Sequence, residues 1–408
     1  MKRTNFLALM MGLLLAACQP EVLYVEVTRV MPDSGPVGTS VAPLSPQTVE
    51  VTRLVPQEVA LPVEVTRVVT MTEQVAVEVT KSPLGSVERP IQLLFSPVYN
   101  SAIITDRGQV LADALAEATG LQFDVGVVDS EQALIDLMCM APVDTMGVLS
   151  AMGYVLANEQ CGVQLANTAV SIDGRTWQTG MIVTRRDSGI LTLADLADKS
   201  WAVPDLSSLP NFLYFQAMLL DAGIAPGEIV PVQGDNSAML AVFNGDADFA
   251  TATYIPPILP YEEREWVYGE DSPELWRALG ISPTRSPIGY VLVLGEPQYG
   301  GYRLRDARSG IFDIEPDIYD QTRIIELSAQ IPNEAVVLGA AFPLGLARQV
   351  TVLLTDFGAS EACTTSLCAS DFYAWAGMAA AADAAYEPLR FVIDTLDLSA
   401  DEIWALGE

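Results

Sequence analysis

The chain has 408 residues, of which 50% are hydrophobic, and a formal net charge of −31, with no histidine. Nucleic acid is therefore excluded as a partner, because phosphate backbones require a basic protein surface. The lack of histidine removes His-based triads and the commonest general base and transition-metal ligand. No Walker loop or metal-ligand cluster is present in the sequence, so we expect no enzyme, no metal and no cofactor.

Residues 1–18 have the pattern of an export signal. Lys2 and Arg3 precede an apolar run, Phe6–Ala17, of about 12 residues, whereas a membrane-spanning helix needs about 20. Leu15–Cys18 resembles the lipobox of bacterial lipoproteins, which implies that Cys18 is lipidated and anchors the protein to the outer face of the cell membrane. The alternative is an ordinary signal peptide, or a buried helix in which Cys18 is incidental.

Residues 19–90 are rich in Val, Glu, Thr and Pro and repeat a short motif. Val-Glu-Val-Thr-Arg occurs at Val25–Arg29, Val49–Arg53 and Val63–Arg67, and a near copy occupies Val77–Lys81. Alternating Val and polar residues favour extended chain, and the interspersed prolines oppose a continuous sheet. We therefore predict an extended tether that holds the rest of the protein away from the membrane. Strand pairing between copies of the repeat is the alternative.

From residue 91 onward, predicted strands and helices alternate, which indicates an α/β architecture with largely parallel sheets. Asp129 is the predicted N-cap of one helix, Ser150 opens the next, and a later helix is predicted over Ala238–Asn244. Glycines follow three of the predicted helices, at Gly120, Gly223 and Gly245. The predicted strands are 91–95, 121–128, 143–148, 167–172, 179–184, 201–204, 229–233 and 247–253.

Four cysteines remain if Cys18 is lipidated. An even number of cysteines in an exported protein suggests disulfides, and four cysteines allow three pairings. Proximity in sequence favours Cys139 with Cys161 and Cys363 with Cys368.

Several short motifs follow one another along this part of the chain: Gly147–Ala157, Asp187–Ile190 with Leu193–Lys199, Gly234–Asp248, Ile331–Asn333 and Tyr386–Pro388. In this order they resemble segments of the PhnD-type substrate-binding proteins, the phosphate-, phosphite- and phosphonate-binding components of ABC transporters. The resemblance implies the type II periplasmic-binding fold, in which two α/β lobes are joined by two crossing strands and hold the ligand in a central cleft between them.

This fold assigns residues 91–184 and 332–408 to lobe 1 and residues 185–331 to lobe 2. Residues 256–322 within lobe 2 fit the family poorly and hold eight Trp and Tyr residues. We interpret them as an insertion. Three interpretations of its role stay open: a lid over the cleft, a docking face for a permease, or a surface addition with its own small core.

The loops Ser96–Ser101, Asp205–Asn211 and Gly234–Ser237 each follow a predicted strand and lead into a helix. Ligands of open α/β sheets bind outside the carboxyl ends of the strands. Helix N-termini there offer unpaired N–H groups and a partial positive charge, which suit an oxyanion without any lysine or arginine.

The resemblance implies five ligand-binding residues, in which hydroxyls and one amide donate hydrogen bonds and the tyrosines also supply a stacking wall: Tyr99, Tyr154, Ser207, Ser208 and Asn236. The alternatives are that Ser208 and Asn236 only cap helices and that Tyr154 is a core aromatic. The family's serine- and threonine-rich turn is Ser207-Ser208-Leu209-Pro210 here, and its histidine is Asn236. Fewer donors remain, which widens the candidate ligands to a zwitterion or a sulfonate.

The resemblance implies a solute-binding protein that captures a small anionic or zwitterionic molecule and delivers it to an ABC permease. A sensor of the same fold without transport is the alternative function.

Overall fold

The computed structural model describes residues 49–54, 64–69, 82–262, 264–294 and 301–406. Residues 1–18, with Cys18, lie outside the described residues, as does most of the predicted tether. Within the described ranges, no helix combines the length and apolar character needed to cross a bilayer. The chain divides into two units, Met1–Val79 and Thr80–Glu408, which are described separately.

In the first unit, two copies of the repeated pentad pair with each other. Strand β1 (Val49–Leu54) runs antiparallel to β2 (Glu64–Val69), with Thr52 opposite Thr66. Their alternating valines and polar residues match the two-residue period of a strand. These two copies therefore adopt the strand pairing that the sequence left as the alternative.

In the second unit, lobe 1 contains a six-stranded sheet in the order β18-β6-β17-β5-β3-β4. Strands β3, β4 and β5 are mutually parallel, and β17 and β18 run antiparallel to their neighbours. The strand bounds are β3 Ile91–Phe95, β4 Phe123–Val127, β5 Thr145–Leu149, β6 Gln164–Val170, β17 Ala335–Leu338 and β18 Gly377–Ala380.

Lobe 2 contains a five-stranded sheet in the order β10-β9-β11-β8-β15. The strand bounds are β8 Gly180–Arg185, β9 Trp201–Val203, β10 Ile229–Pro231, β11 Phe249–Thr253 and β15 Thr322–Leu327. Two short antiparallel strands, β7 (Trp177–Gln178) and β16 (Ile331–Pro332), lie where the chain crosses between the lobes.

The carboxyl ends of the parallel strands of both lobes point toward these crossings. In lobe 1, Leu149 at the end of β5 lies opposite Ala335, which follows β16 closely. In lobe 2, Thr253 at the end of β11 lies opposite Gly180, which follows β7 closely. The loops after these strands therefore line the facing edges of the central cleft, as the two-lobe type II periplasmic-binding fold requires.

The helices cover the two sheets: α1 Ser101–Thr119, α2 Glu131–Met140, α3 Ala151–Cys161, α4 Tyr214–Asp221, α5 Gly234–Asn244, α6 Ile318–Gln321, α7 Leu344–Gly358, α8 Glu387–Leu396 and α9 Ala400–Ala405. Two predicted starts are wrong. Helix α2 is capped by Ser130, whose side chain accepts from the N–H of Ala133, rather than by Asp129. Helix α5 begins four residues before Ala238 because Gly234–Ser237 form its first turn.

The insertion packs onto lobe 2 through a shared core. It contains a three-stranded antiparallel sheet of β12 (Thr284–Arg285), β13 (Val291–Val293) and β14 (Tyr302–Leu304). Trp276, Phe312 and Tyr319 are buried together with apolar residues of α5 and the lobe 2 sheet. The core of the insertion is therefore shared with lobe 2 and is not the separate small core of the third interpretation, while the roles of lid and docking face stay predictions.

A buried ionic cluster fixes this insertion. Arg308 is fully buried and donates from Nε to Asp306 at 3.0 Å and from Nη1 to Glu274 at 2.6 Å. Its guanidinium also lies 4.5 Å from the ring centroid of Tyr319. Glu274 accepts a second ion pair, at 3.0 Å, from Arg186. The cluster ties the insertion to the chain that leaves strand β8.

Helix α8 contacts both lobes. Leu389 and Val392 are fully buried in a core that includes residues of α3 in lobe 1. Phe391 packs against Tyr214 of α4 in lobe 2, with ring centroids 5.8 Å apart. This helix therefore bridges the lobes beside the crossing strands.

Two disulfides are formed, one joining Cys139 to Cys161, with Cα atoms 5.5 Å apart, and one joining Cys363 to Cys368, with Cα atoms 5.0 Å apart. The first links the end of α2 to the end of α3. Each pair joins cysteines that are close in sequence.

Candidate ligand-binding site

Tyr99 lies on the lobe 1 edge of the cleft, in the loop after β3. It is 37% exposed, and its ring packs edge-on against Phe372 and Tyr373, with centroids 5.2 and 5.6 Å away. Partial burial and the nearby carboxylate of Glu334 raise the pKa of Tyr99. The phenol therefore remains protonated at neutral pH and can donate a hydrogen bond.

The same edge carries a half-buried carboxylate that sequence analysis missed. Glu131 accepts a hydrogen bond from the backbone N–H of Ser150, the N-cap of α3. Burial raises the pKa of Glu131, the bond from Ser150 lowers it, and the charge of Glu334 raises it further. The N-terminus of α3 therefore already has an acidic partner, and two carboxylates give this edge a negative character. Its only sequence signal was the position of Glu131 in the first turn of α2, where acidic residues are common.

Tyr154 packs inside lobe 1. It is 1% exposed, its hydroxyl donates to Asp383 at 2.6 Å, and its ring lies edge-on to Tyr386 at 4.5 Å. Burial and the hydrogen bond to Asp383 raise the pKa of Tyr154. Asp383 also pairs with Arg390 at 2.6 Å. The phenol thus belongs to an internal network that positions α8.

On the lobe 2 edge, the two predicted serines make local hydrogen bonds. Asp205 accepts from the N–H and the hydroxyl of Ser207 at 2.8 and 2.7 Å. Ser208 Oγ accepts from the N–H of Asn211 at 3.3 Å. The hydroxyl hydrogen of Ser207 is therefore committed to Asp205, whereas that of Ser208 has no acceptor among the described residues and can donate to a ligand.

Beside these serines lie polar groups that sequence analysis did not select. Asn211 is 7% exposed, and its Nδ2 donates to Thr253 at 3.1 Å. Asp235 accepts from the N–H of Thr253 at 3.1 Å. The enclosed Asn211 Oδ1 and Thr179 Oγ1 have no hydrogen-bond partner among the described residues. Buried polar atoms normally have partners, so these two are available to a ligand or to water.

Asn236 lies in the first turn of α5 and contacts the insertion. A Cβ atom at Gly310 would come within 2.3 Å of Asn236 Oδ1, so the Asn236 side chain lies directly against this glycine. Asn236 lines a cavity of about 430 Å³ together with insertion residues that include Arg285 and Tyr290. Tyr99, Ser207 and Ser208 do not line this cavity. Ser207 and Ser208 therefore lie in one loop at the lobe 2 edge of the cleft, whereas Asn236 lines a separate cavity.

A larger cavity, of about 570 Å³, lies beside the crossing strands. One wall is the turn Asp173–Trp177, which follows β6 and enters the crossing strand β7. A second wall, Pro256–Leu259, is the start of the insertion directly after β11, and later insertion residues close the rest. Its charged lining residues are Asp173, Arg175, Glu262, Arg264, Glu265, Arg303 and Arg305. We call this space the arginine cavity.

Two α/β lobes, two crossing strands and a cleft lined by the carboxyl ends of strands define a type II periplasmic binding protein. The family model described as "ABC transporter, phosphonate, periplasmic substrate-binding protein" matches residues 93–386. The chain belongs to this family, whose members are substrate-binding components of ABC transporters.

Solved structures similar to this chain include the three that follow. XAC2383 from Xanthomonas citri bound to ATP is 14% identical, with 75% of this chain and 98% of that chain covered and a TM-score of 0.44. PhnD1 from Prochlorococcus marinus in complex with methylphosphonate is 10% identical, with coverages of 75% and 98% and a TM-score of 0.37. The aliphatic sulphonate binding protein SsuA from Escherichia coli is 14% identical, with coverages of 78% and 81% and a TM-score of 0.28. No curated protein matches the chain.

Proposed function

We propose that this protein is a lipid-anchored solute-binding protein that captures a small oxyanion or zwitterion between its lobes and delivers it to an ABC permease. The observation that carries this proposal is the family match over residues 93–386, which runs through both sheets and both crossing strands. Phosphonate, phosphite and phosphate are the first candidate ligands, and sulfonates are the second.

The cleft edges supply groups suited to such a ligand. The free hydroxyl hydrogen of Ser208 and the phenol of Tyr99 are candidate donors to an oxyanion, and Ser207 orients the same turn through Asp205. The negative edge formed by Glu131 and Glu334 favours a ligand that also carries a positive group. This asymmetry supports including zwitterions among the candidates.

The lipid anchor and the domain limits are part of the same proposal. Residues 1–18 are the export signal, Cys18 carries the lipid, and residues 19–90 are the tether. Labelled fatty acid should be incorporated into the wild-type protein expressed in bacteria and lost in Cys18→Ala. Secretion of an unlabelled wild-type protein into the soluble fraction would overturn the anchor.

A thermal-shift screen tests the binding role. Ligand at about 100 times its dissociation constant should stabilise the purified protein by about 2.7 kcal/mol. The screen contains methylphosphonate, phosphite, phosphate, methanesulfonate and 2-aminoethylsulfonate. If none of these shifts the unfolding temperature, the proposed binding function is wrong.

Two serine variants localise the binding. Ser208→Ala should reduce the ligand-dependent shift because it removes the free hydroxyl donor. Ser399→Ala is the matched control, because Ser399 Oγ likewise accepts from a backbone N–H, that of Glu402 at 3.3 Å, as the cap of α9. Both variants should lose roughly 1 kcal/mol of stability through the lost cap. An equal loss of ligand response in both would exclude a specific role for Ser208.

A further inference from the structure

The arginine cavity concentrates arginines in a strongly acidic protein, although three carboxylates, those of Asp173, Glu262 and Glu265, also line it and Arg264 pairs with Asp271. Four of the chain's 21 lysines and arginines line it. Arg303 and Arg305 are two residues apart along and just after β14, so the strand period directs both to the same face. Reciprocal backbone hydrogen bonds of 3.0 Å between Ile258 and Arg303 hold this face against the first residues of the insertion, which directly follow strand β11 of lobe 2.

The carboxylates of the cavity do not neutralise all of these arginines. Asp173 pairs with Arg175, and Glu262 pairs with Arg303 at 2.9 Å. Arg305 donates from Nε to the carbonyl of Pro256 at 2.9 Å, and no carboxylate of the described residues lies within 4.0 Å of it. Burial lowers the pKa of Arg305, and the charges of Arg175 and Arg303 lower it further against the opposing effect of Asp173. A bound anion would relieve this repulsion.

Arg175 has unused hydrogen-bonding capacity. Its Nη1 is enclosed and has no partner among the described residues. Its guanidinium lies 4.8 Å from the ring centroid of Trp177, which holds it in one orientation. Arginine forks match the geometry of phosphoryl and sulfonyl oxygens, and a pre-oriented guanidinium loses little entropy when it binds them.

The remaining walls of the cavity are apolar. Trp177 and Trp266 line it together with Pro256, Pro257 and Leu259. A volume of about 570 Å³ lies within the usual range for sites that hold organic ligands. An inorganic oxyanion would occupy only a small part of it and would leave the apolar walls in contact with water.

We propose that the arginine cavity binds an organic oxyanion, with its charged group between Arg175, Arg303 and Arg305 and its apolar substituent against Trp177 and Trp266. This inference rests on the proposed function and names the substrate class and the residues that select it. It also assigns anion recognition to side chains from the crossing turn and the insertion. The lobe 1 edge, with Glu131 and Glu334, repels an anion and is less suited to that role.

Calorimetric titration of the purified protein with phenylphosphonate, methylphosphonate and inorganic phosphate tests the inference, with tryptophan fluorescence as a second readout. We expect phenylphosphonate to bind at least 10-fold more tightly than inorganic phosphate and to change the fluorescence. Arg305→Gln should weaken phenylphosphonate binding at least 10-fold, and Arg305→Lys should restore part of that loss. Arg277→Gln, which removes an arginine of the insertion outside this cavity, should bind as wild type.

The outcomes separate this inference from the proposed function. Wild-type affinity in Arg305→Gln, together with loss of binding in Ser208→Ala, would place the anion at the serine turn and overturn the inference while the binding function stands. Equal affinity for phenylphosphonate and inorganic phosphate would overturn the apolar subsite. Binding of none of the three probes to the wild-type protein would overturn the inference, and the wider screen would then decide the binding function. Circular dichroism of each variant identifies any that fail to fold, and Arg303→Gln then serves as the replacement for such a variant.

Discussion

Replacing Arg308 by methionine should destabilise the protein strongly. Arg308 is fully buried, and its partners Asp306 and Glu274 have side chains that are 5% and 12% exposed. Methionine keeps most of the apolar volume of arginine but removes the charge, so Asp306 loses its cationic partner in an enclosed site. Glu274 keeps its ion pair with Arg186, and most of the penalty therefore falls on Asp306.

The expected loss is about 3–5 kcal/mol in the free energy of unfolding, the usual cost of removing one partner from a buried ion pair. Arg277→Met is the matched control, because Arg277 also lies over an aromatic ring, that of Trp276, but its ion pair with Asp320 is partly exposed and measures 3.4 Å. An exposed pair of this kind contributes about 0–1 kcal/mol.

Urea unfolding followed by tryptophan fluorescence measures both variants, because Trp276 is 1% exposed in the core of the insertion. Adding Asp306→Asn to Arg308→Met should recover part of the loss, since it removes the unpaired charge. A loss below about 1 kcal/mol in Arg308→Met, or no recovery in the double variant, would refute the assignment of the penalty to a buried unpaired carboxylate.

Three further predictions concern local contacts. Hydrogen bonds from Arg264 and from a backbone N–H lower the pKa of Asp271 from 3.8 to about 2. This carboxylate therefore stabilises the fold above pH 4, and its contribution is lost as the pH falls through about 2. The NMR titration midpoint of Asp271 should rise in Arg264→Gln, and an unchanged midpoint would contradict this prediction. Replacing both Cys139 and Cys161 by alanine removes a crosslink between residues 22 positions apart. The free energy of unfolding measured in urea should fall by roughly 3 kcal/mol. A fall below about 1 kcal/mol would show that the disulfide contributes little to stability. Tyr154→Phe removes a 2.6 Å hydrogen bond to the carboxylate of Asp383. It should lower the free energy of unfolding by about 1 kcal/mol and leave the ligand affinity measured by calorimetry unchanged. A large loss of affinity would instead show that the phenol binds the ligand directly.

The alternation of strands and helices was predictable from sequence because short apolar runs and glycine stops are local signals. Strand β3 occupies the predicted residues Ile91–Phe95, and α1 ends at Gly120, which has a φ of 72° that favours glycine. Helix α5 extends back to Gly234 because Asp235 and Asn236, which are typical of loops, form a first helical turn there. Such a start depends on neighbouring packing rather than on propensity.

The arginine cavity could not be predicted from the sequence. Arg175 and Arg305 are separated by 130 positions in the numbering, and no periodicity links them. They meet because the turn after β6 and the end of β14 both lie beside Pro256–Leu259, the segment that follows β11. Expectations based on helix N-termini alone also do not include the hydrogen bond that Glu131 accepts from the N–H of Ser150, the N-cap of α3.

Helix α8 has a consequence for how the lobes can move. Because Leu389 is buried against lobe 1 and Phe391 packs on Tyr214 of lobe 2, a rigid rotation that parted the lobes on this side would expose apolar surface. The rotation of the lobes with the lowest energetic cost keeps α8 in place as the hinge and opens the cleft at the edge farthest from α8. Trp177 lines both the arginine cavity and another cavity, which Pro388 of α8 also lines. The Trp177 indole therefore lies near the axis of this rotation. A bound ligand and a change in the angle between the lobes would each alter the environment of the indole.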